Sequence, residues 1–330
     1  MGSKVFDTLN QKAMTISAME TQSVETQSVL GEQRIWMWRG WRVRYTHLLG
    51  CGEAKDESPL LLIHGAGSSL EQWRENLVAF ASERPVYAID LVGFGGSQKV
   101  ACALNSDLWV QQVADFWQTF LGRPMILMGH SLGALVALQM STSYPAQVER
   151  LIMLTLPAAR QELGGAAARV GAVVEGWFAS PLLIRPLFRL VRQRWLIRAA
   201  LRAIARRPEK VDDALIDGFV RPTQERGAAR TFCYLVKSRT GEDFSPMTRS
   251  LIPLLQMPTL LLWGTCDSVI PISWGRYVNT LSHHLTFVEV EEAGHFFYDE
   301  LATELHDLVA QWIAGRLPVT NEDLQDDLAV

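Results

Sequence analysis

Cysteine is scarce: Cys51, Cys102, Cys233 and Cys266 are the only four in 330 residues. Their spacing matches neither a metal-ligand set nor a paired disulfide framework, so reduced thiols in a cytosol-like compartment are the default expectation. Long apolar runs are also missing. No stretch reaches the roughly 20 residues needed to cross a bilayer. The N-terminal segment has no apolar signal-peptide core, and its acids and lack of arginine argue against a transit peptide. Net charge is only −4, which leaves no basic excess for general nucleic-acid binding. A phosphate-cradling loop is absent as well. The glycine-rich turn at 93–96 lacks Gly-x-Gly-x-x-Gly spacing and has no lysine before Ser97, so a tight structural turn is expected there. Together these exclusions leave a cytoplasmic globular protein with no metal and no cofactor.

What is present is an alternation of strand and helix signals. Residues 42–48, 60–63, 86–90, 125–128 and 151–154 read as strands in the first half, and 260–263 and 285–290 in the second. Strands separated by helices predict a mostly parallel, doubly wound α/β sheet, with functional loops at the strands' carboxyl ends. Residues 158–251 break the alternation and are rich in arginine, which predicts a helical insertion. Pro186 suits the first turn of one of its helices. Arg194, Arg198, Arg202 and Arg206 recur four apart, with Ile197, Leu201 and Ile204 on another face. Two readings fit that stripe: a helix packed on the core with its arginines in water, or a basic amphipathic helix on an anionic membrane. The expected organisation is a flexible leader (1–33, with a near-repeated Thr-Gln-Ser-Val), a core (34–157 and 252–316), a helical cap (158–251) and an acidic tail (317–330).

The most informative stretch is Gly129-His130-Ser131-Leu132-Gly133, between an apolar strand and a small-residue helix. Such a turn projects a serine hydroxyl above the sheet and leaves helix N–H groups near it. The flanking glycines leave room that a side chain would fill. Two further groups follow in chain order at strand ends, Asp267 and His295. A serine hydroxyl needs an imidazole to take its proton, and a carboxylate to fix that imidazole's tautomer. The expected catalytic set is Ser131, Asp267 and His295. The expected oxyanion hole is the N–H of Leu132 together with that of Ala66, in the loop that follows the strand 60–63. His64 reads as a loop-bracing histidine and His130 as a structural or pocket-lining neighbour. Cys266 beside the acid reads as chance placement.

These motifs resemble the α/β-hydrolase fold across roughly residues 34–315. They are His64-Gly65-Ala66-Gly67, the stretch from Asp90 to Ser97, the elbow itself, Trp263-Gly264-Thr265-Cys266-Asp267, and Gly294-His295-Phe296. Other strings are similar to the cyanobacterial and chloroplast branch that includes pheophytinase and chlorophyll dephytylase. Those are Trp38-Arg39-Gly40-Trp41, Trp73-Arg74-Glu75-Asn76, Val211-Asp212-Asp213, Arg221-Pro222 and Gly227-Ala228. The resemblance implies the α/β-hydrolase fold with a cap, and serine chemistry rather than the epoxide or halide chemistry of relatives with an aspartate nucleophile.

Three functions are open on these residues. The leading one is hydrolysis of a carboxylic ester, of a small or a lipophilic substrate such as a phytyl or acyl ester, through an acyl-enzyme on Ser131. The second keeps the triad but cleaves a carbon–carbon bond or runs perhydrolysis without a cofactor. The third is a non-catalytic accessory protein on the same scaffold. Trp177, Phe178 and Phe188 in the cap and Phe296 beside the base are the expected substrate-binding residues. An ester substrate and peripheral contact with an anionic membrane through the cap are the expected partners, with no nucleic acid. Oligomeric state is not legible.

Overall fold

The computed structural model describes residues 29–50, 52–162 and 181–317. Eight strands form one sheet: β1 (Gln33–Trp38), β2 (Trp41–Leu48), β3 (Leu60–Ile63), β4 (Val86–Ile89), β5 (Met125–His130), β6 (Val148–Leu154), β7 (Thr259–Gly264) and β8 (Leu285–Val290). Their spatial order is β1-β2-β4-β3-β5-β6-β7-β8. β1 and β2 pair antiparallel, β2 joins β4 antiparallel, and every later pairing is parallel.

The helices are α1 (Leu77–Ala81), α2 (Ser106–Phe116), α3 (Leu132–Ser143), α4 (Pro181–Val191), α5 (Arg194–Ile204), α6 (Asp213–Gln224), α7 (Ala228–Thr240), α8 (Thr248–Leu251), α9 (Ile272–Asn279), α10 (Phe297–Glu300) and α11 (Ala302–Ile313).

Strands β3, β5 and β7 are buried at every residue. Parallel strands covered on both faces read as unbroken apolar runs, which is why these were visible in the sequence. Their side chains alternate between two cores. Leu61, Ile63, Leu127, Leu261 and Trp263 join the cluster on one face. Leu60, Leu62, Ile126, Leu260 and Leu262 join the cluster on the other. Helix α3 is buried from Leu132 through Ser141. It has no solvent face and so shows no amphipathic period.

Three expectations need adjustment. Gln33 opens β1, and Leu30, 1% exposed, already sits in a core. The expected leader therefore gives up its last residues to the fold, and its residues 1–28 lie outside the described ones. β1 itself was not anticipated. It is an edge strand whose alternate residues face water, Ile35 and Met37 among them, so its apolar content carries no burial signal. Pro186 stands in the middle of α4 rather than in its first turn.

Between β6 and β7 the chain forms the helices α4 to α8. The sequential order reverses between β3 and β5, which lie side by side with Ile63 opposite Gly129. Open α/β sheets form their crevice at such a reversal, outside the strands' carboxyl ends.

Candidate active site

Ser131 follows the last residue of β5 and has φ 51° and ψ −117°. A non-glycine residue at positive φ is held there only by its surroundings. Its N–H donates to the carbonyl of Leu154 at 2.9 Å, which ties the turn to β6. The flanking glycines are required by contact. A Cβ at Gly129 would lie 2.2 Å from the carbonyl oxygen of Gly133, and one at Gly133 would lie 2.3 Å from that of Ile63. Leu132 is the first residue of α3, so its N–H has no acceptor within the helix.

Asp267 and His295 sit on the loops after β7 and β8. These loops are joined by main-chain hydrogen bonds from Thr265 to Val290 at 3.0 Å and from Cys266 to Ala293 at 2.9 Å. Gly264 permits the approach, since a Cβ there would meet the Ala293 carbonyl at 2.3 Å. One Asp267 oxygen accepts from the N–H groups of Val269 (2.8 Å) and Ile270 (2.9 Å). The other lies 2.8 Å from His295 Nδ1, and the two side chains are 0% and 8% exposed. With Nδ1 donating to the carboxylate, Nε2 of the neutral ring carries the lone pair. His130 Nε2 donates to the His295 carbonyl at 3.1 Å. Burial holds the His130 pKa well below its ordinary 6.5, so it packs as a neutral ring against His295 and Tyr298.

The loop after β3 is braced from below. His64 Nδ1 donates to the Gly65 carbonyl at 2.7 Å, and its Nε2 accepts from the Leu91 N–H at 3.1 Å. Both ring nitrogens are thus occupied, as a bracing role requires, and burial keeps the ring neutral. Gln72 Oε1 accepts from the Gly65 N–H at 2.9 Å. Asp90 accepts from the N–H groups of Leu70 and Gly96, both at 2.6 Å, and from Arg44 Nε. Arg44 also grips Glu71 with two further nitrogens. Burial would lower the Arg44 pKa, but the charges of Asp90 and Glu71 outweigh it and raise that pKa. The turn at 93–96 therefore spends its amide on a carboxylate of the same chain. A Cβ at Gly95 would strike that carboxylate at 2.3 Å.

One cavity of about 1280 Å³ opens over these loops, larger than the few hundred to a thousand Å³ of usual small-ligand pockets. Ser131, Leu132, Ala66, His295 and Phe296 line it, and Asp267 stands behind His295. Phe188 does not. It is 5% exposed and packs on Phe232 at 5.2 Å, because α4 turns that face onto α7. Trp177 and Phe178 lie outside the described residues.

Sequence reasoning missed Gln72, Trp274, Arg160 and Arg239, which also line the cavity. None of these had a local signal: Gln72 stands between Glu71 and Trp73-Arg74 in a mostly polar segment. The arginine stripe, which runs along α5 and past its end to Arg206, is largely neutralised. Arg194 pairs with Asp213 and Asp217, Arg198 with Asp213, and Arg206 with Glu292. Leu201 is buried, and Ile197 and Ile204 pack on the core. Among the described residues no cluster of three His, Cys, Asp or Glu side chains could hold a metal. No helix of the described residues is long and apolar enough to cross a membrane.

A family model described as the alpha/beta hydrolase family matches residues 60–309. The chain belongs to that family. Among curated proteins it is similar to the Homo sapiens 1-acylglycerol-3-phosphate O-acyltransferase ABHD5, 34% identical over 119 residues, which is 34% of this chain and 32% of that one. It is also similar to the Mus musculus (lyso)-N-acylphosphatidylethanolamine lipase, 35% identical over 107 residues and 31% of each chain. These matches span about a third of the relatives' length. Among solved structures, a bacterial membrane phospholipase A superposes with a TM-score of 0.73 at 20% identity, covering 96% of this chain and 99% of that one. At that identity the likeness shows the fold of the family.

Proposed function

We propose that this member of the family hydrolyses a carboxylic ester with a long apolar part. The observation that carries the reading is the buried Asp267–His295 pair, whose imidazole faces the cavity that Ser131 also lines. In this mechanism His295 Nε2 takes the Ser131 proton as Oγ attacks the ester carbonyl. The N–H groups of Leu132 and Ala66 stabilise the resulting oxyanion. Collapse expels the alcohol, which takes its proton from His295, and leaves an acyl group on Ser131. Water activated by the same imidazole then releases the acid. Asp267 holds the ring in the one tautomer that leaves Nε2 free to accept.

The substrate's apolar part is supported by the lining. Leu135, Leu201, Ile204, Phe219, Leu235 and Phe296 face the cavity. The curated relatives are named for reactions of acyl lipids, which points the same way. An ester panel tests the reading, with acetyl, octanoyl and palmitoyl esters of one alcohol plus a phytyl ester. Longer chains should raise kcat/KM, by up to about 0.8 kcal/mol for each methylene buried. Ser131→Ala should abolish turnover of them all. Turnover retained in Ser131→Ala would sink the mechanism, and a flat chain-length profile would sink the apolar substrate.

A further inference from the structure

The cavity lining is not apolar throughout. Arg160 lies in the short turn Arg160–Glu162 after β6, and Arg239 lies in the last turn of α7; both line the cavity. Arg160 Nη1 donates to the main-chain oxygen of Arg239 at 2.8 Å, so the two residues are neighbours in the cavity lining. Arg160 has a structural reason to be there, because the carbonyls at a helix C-terminus attract a cation. The Arg239 side chain belongs to the last turn of that same helix. Among the described residues it makes no hydrogen bond and no ion pair.

The neighbouring acids do not fill that role. Glu162 also lines the cavity, but its carboxylate accepts the main-chain N–H groups of Ala159 (2.7 Å), Thr248 (2.9 Å) and Arg249 (2.7 Å). Asp107 and Asp243 lie in an adjoining hollow, and Asp107 already accepts from Gln139. An uncharged ester would offer a guanidinium only a neutral carbonyl acceptor. An anion would offer more, because the planar fork of arginine matches the two oxygens of a phosphate or carboxylate.

We infer that Arg239, with Arg160 beside it, binds an anionic group, phosphate or carboxylate, carried by an amphiphilic ester substrate whose chain lies along the apolar part of the lining. This deepens the ester-hydrolase reading and rests on it for the word substrate, while the anion site is tested by binding alone. The full chain with Ser131→Ala is titrated calorimetrically with dodecyl phosphate, dodecanoate and dodecanol below their micelle concentrations. At least one anion should bind about tenfold more tightly than the alcohol, the size of a single charge-assisted contact partly open to water. The tighter of the two names the head group. The preference should shrink as salt is raised from low to physiological strength.

In the same background Arg239→Gln should bring anion and alcohol within about twofold of each other, and Arg239→Lys should keep part of the gap. If the three amphiphiles bind alike, or the gap survives Arg239→Gln, the inference is overturned. It is overturned equally if Arg239→Gln lowers the melting temperature, as loss of a helix-end cation would, and keeps the gap. A failed esterase mechanism would appear instead as wild-type protein that binds the amphiphiles and cleaves no ester.

Discussion

Replacing Gly133 by alanine probes the joint between the elbow and the loop that follows β3. The new Cβ would stand 2.3 Å from the Ile63 carbonyl oxygen and 2.6 Å from that of His64. Both atoms are backbone, so no side chain can swing aside. Reaching an ordinary contact requires α3 and the end of β3 to part by about 1 Å. Overpacking of this kind costs about 1–3 kcal/mol. For a domain of this size that lowers the melting temperature by roughly 2–4 °C per kcal/mol. Activity should suffer more, since β3 leads directly into Ala66 and α3 begins at Leu132. A displacement of about 1 Å between nucleophile and stabilising groups can cost about 10²-fold in rate.

Gly218→Ala is the matched control. It lies inside α6, where the added methyl would meet the Glu71 side chain at 3.4 Å, an ordinary contact. Helix propensity should then leave stability unchanged or raised by up to about 1 kcal/mol. Thermal denaturation and ester turnover of both variants check the pair. A Gly133→Ala protein with wild-type melting temperature and turnover would refute the packing argument.

Other outcomes follow from the same geometry. Asp267→Asn should leave the fold intact and lower kcat by about 10⁴-fold, because the wrong imidazole tautomer is favoured; circular dichroism and kinetics check both halves. Arg44→Met strips the counter-charge from the fully buried Asp90 carboxylate. It should cost about 3–5 kcal/mol in denaturant unfolding. Burial would raise the Glu71 pKa, but the hydrogen bonds and charge of Arg44 outweigh it and hold that pKa below its ordinary 4.5. A depressed carboxyl contributes stability that is complete above its unfolded pKa and is lost as pH falls through the folded one. Glu71→Gln should therefore be less stable than wild type above about pH 4.5, with the gap closing on acidification. Phe188→Ala should destabilise by about 3–5 kcal/mol as a core truncation, whereas Phe296→Ala should change the chain-length profile of ester turnover.

Much of the sheet could be read directly, since β3 and most of β7 are unbroken apolar runs, as strands buried on both faces are. The elbow could be read because Gly129 and Gly133 are dictated by contacts within a few residues of Ser131 or with the neighbouring strand. What escaped depends on partners distant in sequence. Asp90 belonged to a recognisable turn, yet the arginine that balances it lies 46 residues earlier, in β2, which pairs with β4. Phe188 looked like a pocket residue because aromatic content alone does not say which face α4 turns to α7. Nothing in the sequence singles out Arg239 among the arginines of residues 158–251. Only the fold separates it from Arg194 and Arg198, whose carboxylate partners stand on α6.

A fluorophosphonate probe tests most directly whether Ser131 is the activated nucleophile. Intact-mass measurement followed by peptide mapping should find one adduct, on Ser131. It should be absent from Ser131→Ala and formed far more slowly in His295→Ala. No adduct on the folded wild-type protein, or labelling that persists in Ser131→Ala, would contradict the account.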